Sequence, residues 1–121
     1  MTPAGQPAPE DLLPLTPLVF HILLCLGDGE RHGYALKREI ARRTEGHLNP
    51  GAGSLYGAIQ KMLDQNLIEE SGERPDAHLD DERRRYYRLS DLGRAVAQAE
   101  AARMRALVEL SETRFGLGEP A

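Results

Sequence analysis

The chain has 121 residues, a formal net charge of −4, one cysteine and no tryptophan. That length suits one compact domain with peripheral elements and a modest aliphatic core, and the lone Cys25 excludes an internal disulfide. The charge balance excludes wholesale coating of nucleic acid but not a local basic patch, and no stretch reaches the roughly 18 apolar residues of a membrane span, so a cytoplasmic protein is expected.

Residues 1–14 are rich in Pro, Ala and Gly and read as a flexible or loosely docked arm. Thr16-Pro17 is a helix start, with Thr as N-cap and Pro at the first helical position. The apolar run Leu18–Leu26 follows, and Gly27-Asp28-Gly29 stops it. Cys25 lies inside this run and reads as a small buried hydrophobe, because no nearby cation favours a thiolate. A second helix is expected from Gly33 to Thr44, with Leu36 and Ile40 on its inner face and Tyr34 packed beneath it. Lys37, Arg38, Arg42 and Arg43 populate its remainder, and His32 shapes the turn into it.

His47-Leu48-Asn49-Pro50 leads to a third helix, from about Gly51 to Gln65. Leu55, Ile59, Met62 and Leu63 form its core stripe. The opposite face carries Gly53, Gly57, Gln60, Lys61 and Asp64, flanked by Ser54 and Tyr56. Glycine is a poor helix former, so two glycines on an exposed face make sense where something must approach the backbone closely. Leu67–Ser71 and Arg83–Ser90 read as two antiparallel strands joined by a polar loop, with Tyr87 and Leu89 sharing one face. From Asp91 to Arg114 the residues are good helix formers, and such a helix is about 36 Å long. Ala97, Ala101, Met104 and Val108 step along it like a coiled-coil seam, widened by Leu107 and Leu110. So long a helix projects past a small core, and a second copy of the chain is the simplest cover for its stripe.

The expected fold is therefore mainly α with a small β-hairpin. A winged helix-turn-helix spans 15–90, a dimerisation helix spans 91–115, and a tail spans 116–121. In this arrangement the third helix enters the major groove of double-stranded DNA and the hairpin touches the flanking backbone. Ser54, Gln60 and Lys61 suit phosphate and base edges, and Tyr56 offers a ring to thymine methyls. Lys37 and Arg38 on the second helix, and Arg83, Arg84 and Arg85 on the returning strand, suit phosphates. The expected dimer interface is Ala97, Ala101, Met104, Leu107 and Val108.

His32-Gly33-Tyr34-Ala35-Leu36, then Gly53-Ser54-Leu55-Tyr56 with Leu63 and Leu67-Ile68, then Arg85-Tyr86-Tyr87-Arg88-Leu89-Ser90-Asp91-Leu92-Gly93, resemble the PadR family of bacterial regulators over about residues 16–110. The single C-terminal helix resembles the smaller of that family's two size classes. The resemblance implies a homodimer on a palindromic operator, usually repressing transcription, with some members binding small aromatic effectors between the C-terminal helices. It also implies DNA contacts from Ser54, Tyr56 and the basic wing strand. Two departures stand out. The wing tip carries Asp76, Asp80, Asp81 and Glu82 beside its arginines, and the C-terminal helix lacks the tryptophan with which relatives hold flat drugs.

His21, His32, His47 and His78 show no helical metal-pair spacing, and Asp80-Asp81-Glu82 lacks the spaced ligands of a calcium loop, so no metal or cofactor is expected. No glycine-flanked nucleophile, zinc motif or phosphate loop points to an enzyme. The acidic wing tip and net charge leave one alternative, a winged helix that binds protein instead of DNA.

Overall fold

The computed structural model describes residues 7–75 and 83–116, with backbone alone at 74, 75 and 83. The elements in order are α1 (Pro17–Leu26), β1 (Arg31–His32), α2 (Gly33–Arg43), α3 (Ala52–Asp64), β2 (Ile68–Pro75), β3 (Arg83–Leu89) and α4 (Asp91–Phe115). Thr16 caps α1 by accepting from the Val19 N–H at 3.2 Å, with Pro17 in the first turn. His32 caps α2 through Nδ1, which accepts from the Ala35 N–H at 3.1 Å. The Thr44 hydroxyl donates to the Ile40 carbonyl at 2.9 Å and accepts from the Leu48 N–H at 3.0 Å, which closes α2 and fixes the turn toward α3. Glu45 and Gly46 take positive φ in that turn.

The core is aliphatic. Ile22, Leu23, Leu26, Leu36, Ile40, Leu55, Ile59 and Met62 join α1, α2 and α3, and Leu67, Ile68, Tyr87, Leu92 and Val96 close it from the sheet and α4. A fully buried Leu or Ile contributes about 1.5–3 kcal/mol and an exposed ion pair about 0–1 kcal/mol, so these side chains outweigh the surface pairs. Cys25 is fully buried among them. Burial, and then the neighbouring Glu39 carboxylate, push its thiol up to about 12, so it stays protonated at neutral pH.

The sheet has three strands in the order β1-β3-β2, not the two expected. β1 pairs antiparallel with β3, Arg31 opposite Tyr87 and His32 opposite Tyr86. Two residues between a turn and a helix carry no alternation, so only their partner strand defines them. β2 also runs further than expected, to Pro75, because a bulge between Glu70 and Gly72 absorbs the irregularity that read as a loop. The Ser71 hydroxyl at the bulge donates to Glu30 Oε2 at 2.7 Å.

α4 leaves Ser90, whose Oγ accepts from the Gly93 N–H at 2.9 Å. Its inner face is Leu92, Gly93, Val96 and Glu100. Glu100 is a fully buried carboxylate. It accepts from the Leu15 N–H at 2.7 Å and from the Arg103 guanidinium. These donors, Arg103 first, hold its carboxyl below the usual carboxylate range despite burial. Within the N-terminal arm, a 3-10 turn at Pro9–Leu12 precedes Leu13 and Leu15, and Leu12, Leu13 and Leu15 pack against the core. Residues 1–6 of the arm and 117–121 of the tail lie outside the described residues.

Candidate nucleic-acid interface

α3 turns Leu55, Ile59 and Met62 inward and leaves Gly53, Ser54, Tyr56, Gly57, Gln60, Lys61 and Asp64 exposed. Gly53, Gly57, Gln60 and Asp64 lie along the centre of that face, with Tyr56 on one flank and Ser54 and Lys61 on the other. A Cβ built at Gly53 or Gly57 meets no atom of the described residues within 4 Å outside its own helical turn. Neither glycine is therefore required by internal packing or by backbone conformation. The Gln60 amide donates to Asp64 Oδ1 at 3.1 Å, which orients it along the helix. Lys61 borders a crevice shared with Leu12, Pro14, Leu15 and Thr16, so it stands on the arm's side of α3.

Tyr56 is 47% exposed. Its ring lies over the start of α2, where a Cβ at Gly33 would fall 2.6 Å from the Tyr56 hydroxyl oxygen. Glycine at 33 is what lets Tyr56 rest there, half against its own domain and half open.

On α2, Arg38 and Arg42 are exposed and Lys37 is half-buried. Arg43 is engaged with Glu39 at 3.1 Å, and Arg31 reaches the same carboxylate at 3.9 Å. On the wing, Arg85 lies 3.5 Å from Glu73 and 3.8 Å from Glu70, and Arg88 lies 3.1 Å from Glu69. Among the described residues, the carboxylates beside Arg85 come from β2. The tip residues Asp76, His78, Asp80, Asp81 and Glu82, and the side chain of Arg83, lie outside the described residues.

Tyr34 does not pack beneath α2. It is 47% exposed, with the Arg84 guanidinium 4.9 Å and the Arg38 guanidinium 5.8 Å from its ring centroid. Its place in the first turn of α2, beside the wing, turns it outward and keeps it from the core that Leu36 and Ile40 fill. Sequence periodicity could not show this, because the ring's neighbour Arg84 belongs to a distant strand.

Along α4, Ala97 packs partly against its own domain, Met104 is half-buried, and Ala101 is exposed. Leu107, Val108 and Leu110 are about half exposed, and Phe115 is 83% exposed. These apolar residues stand beyond Glu100, which ties α4 to the N-terminal arm through the Leu15 N–H. Among the described residues, no His, Cys, Asp and Glu cluster could hold a metal ion, and no helix is long and apolar enough to cross a membrane.

Three helices, a hairpin set against them by a short third strand, and a long C-terminal helix define a winged helix-turn-helix protein. Residues 22–99 match the Transcriptional regulator PadR-like family, and the chain belongs to that family. It is 35% identical over 86 residues to a 37.1 kDa protein of transposon TN4556 from Streptomyces fradiae, covering 69% of this chain and 21% of that protein. The chain thus spans about a fifth of that relative's length. A PadR family transcription regulator from Clostridium difficile is similar in fold, with a TM-score of 0.68 at 20% identity over 84% of this chain and all of that one. Bacillus subtilis PadR in complex with operator DNA has a TM-score of 0.60 at 19% identity, over 74% of this chain and 47% of that one.

Proposed function

We propose that the chain binds double-stranded DNA as a homodimer and represses transcription from a palindromic operator. α3 lies in the major groove, with Ser54, Tyr56 and Gln60 toward the bases and Lys61 toward a phosphate at its edge. Lys37 and Arg38 of α2, with Arg83 and Arg84 of the wing, hold the flanking backbone. Arg85 joins them, its charge partly offset by Glu70 and Glu73.

The observation that carries this reading is the bare face of α3. Gly53 and Gly57 forgo helix stability without serving the chain's own packing, and polar donors surround them. A surface of that kind suits close backbone approach by a groove. Membership in a family of transcriptional regulators supports the same conclusion.

The second copy covers Leu107, Val108, Leu110 and Phe115, and the seam continues through Ala97, Ala101 and Met104. A two-fold pair of this kind sets the spacing of two half-sites, about 34 Å for one turn of DNA. A small-molecule effector that favoured one angle between the paired α4 helices would shift that spacing and release the operator. Sedimentation velocity with a labelled duplex from the region upstream of the chain's own gene tests the assembly. Two chains per duplex are expected, and Leu107→Asp with Leu110→Asp should leave a folded monomer that binds the duplex weakly. A monomeric wild type, or a doubly substituted chain that still pairs, contradicts the proposal.

A further inference from the structure

Tyr34 is a large aromatic side chain with about half its surface in solvent, at the junction of α2 and the wing. Among the described residues, two guanidinium groups lie over it. Arg38 follows four residues later on the same helix, which brings it onto the ring by helical geometry. Arg84 arrives from β3 and stands closer, at 4.9 Å. It is brought there by strand pairing, because His32 lies opposite Tyr86 and their rings meet edge-on at 5.3 Å. Arg84, two residues before Tyr86, projects on the same side of the strand.

The ring thus brings one guanidinium of α2 and one of the wing together at this junction. Stacking on a ring uses the flat face of a guanidinium, whereas phosphate is bonded in the plane by its N–H edge, so one group can do both. The ring also adjoins the surface assigned to DNA, since Tyr34 follows Gly33 and the Tyr56 ring rests on Gly33.

We propose that Tyr34 is a positioning residue of the DNA-binding surface. Its ring holds Arg38 and Arg84 together, so that α2 and the wing grip the phosphate backbone as one unit beside the recognition helix. This inference rests on the DNA-binding reading above.

The test measures affinity against salt concentration for wild type, Tyr34→Leu, Tyr34→Phe and Arg84→Ala, by fluorescence anisotropy on the upstream duplex. Each phosphate that the protein ceases to neutralise lowers the slope of log affinity against log salt by about 0.9. Tyr34→Leu is expected to weaken binding several-fold and to lower the slope by about that amount, one phosphate's share. Tyr34→Phe keeps the ring and should bind as wild type does. Adding Arg84→Ala to Tyr34→Leu should cost little beyond either change alone, because both disable the same unit. The proposal is overturned if Tyr34→Leu keeps the wild-type affinity and slope, or if Tyr34→Phe falls as far as Tyr34→Leu. Should Tyr34→Leu fail to fold, an Arg84→Ala chain that keeps the wild-type affinity and salt slope overturns it equally. A wild-type chain that binds no duplex sinks the DNA-binding reading itself, an outcome distinct from these.

Discussion

A methyl group added at Gly57 enters open space. No atom of the described residues lies within 4 Å of it outside its own helical turn, and Gly57 has ordinary helical backbone in the middle of α3. Alanine is favoured over glycine in a helix interior by about 0.8–1 kcal/mol, and nothing here offsets that gain. For a chain of this size, about 1 kcal/mol raises the melting temperature by about 4 °C. The same methyl would stand between the helix backbone and a DNA groove. Intrusion into a closely packed interface costs about 1–3 kcal/mol, which corresponds to at least a fivefold loss of affinity. Thermal melting by circular dichroism and anisotropy on a duplex from the chain's own upstream region measure the two effects separately. A Gly57→Ala chain that melts higher and binds as tightly as wild type would refute the idea that DNA approaches this face. A chain that melts lower would show that the glycine serves the fold after all.

Other substitutions probe the supports of that surface. Gly33→Ala places a Cβ 2.6 Å from the Tyr56 hydroxyl oxygen, but the half-exposed ring has room to swing away. The melting temperature should change by less than about 4 °C, roughly 1 kcal/mol, while affinity for DNA falls. An unchanged affinity would mean that the orientation of Tyr56 plays no part in binding. Gly93→Ala differs in kind, because its Cβ would fall 1.9 Å from the Leu67 carbonyl oxygen, a backbone atom that also accepts from the Ser90 N–H. α4 and β2 must separate, at a cost of about 3 kcal/mol, visible as a loss of at least about 10 °C in melting temperature. A Gly93→Ala chain that melts like wild type would mean the two elements do not approach so closely. Glu100→Gln removes the charge that Arg103 and the Leu15 N–H stabilise. The folded-state carboxyl is held below its ordinary range, so its stabilisation is present above the unfolded carboxylate value, about 4.3, and is lost as pH falls through the folded one. The variant should be less stable by about 1–2 kcal/mol at pH 7, and the difference should close in acid below about pH 4. A difference that persists unchanged at pH 3 would mean that charge plays no part.

Much of this fold is written in short-range signals. Thr16-Pro17 marks the start of α1, the stripe Leu55, Ile59 and Met62 orients α3, and the turn at Thr44–Pro50 separates it from α2. The orientation of α3 also exposes Ser54, Tyr56, Gln60 and Lys61, as the periodicity implies. What stayed hidden depends on partners distant in sequence. β1 is two residues long and exists because β3 lies beside it. A glutamate in a helix reads as solvated, and Glu100 is buried only because Leu15 and Arg103 supply donors. Gly93 appears in the chain as one more small residue, yet it is where α4 meets the Leu67 backbone. Tyr34 resembles core residues such as Leu36 until Arg84 is seen on its ring. In each case the missing information is an approach of one element to another, which no local pattern contains.

The central claim is that α3 reads sequence in DNA. Its most direct measurement is the ratio of affinities for the upstream inverted repeat and for a shuffled duplex of the same length, at physiological salt, for wild type and for Ser54→Ala with Gln60→Ala. Wild type should prefer the repeat by about a thousandfold or more. The double variant should lose much of that ratio while keeping its affinity for the shuffled duplex. Equal binding of both duplexes by wild type, or an undiminished ratio in the variant, would contradict the claim.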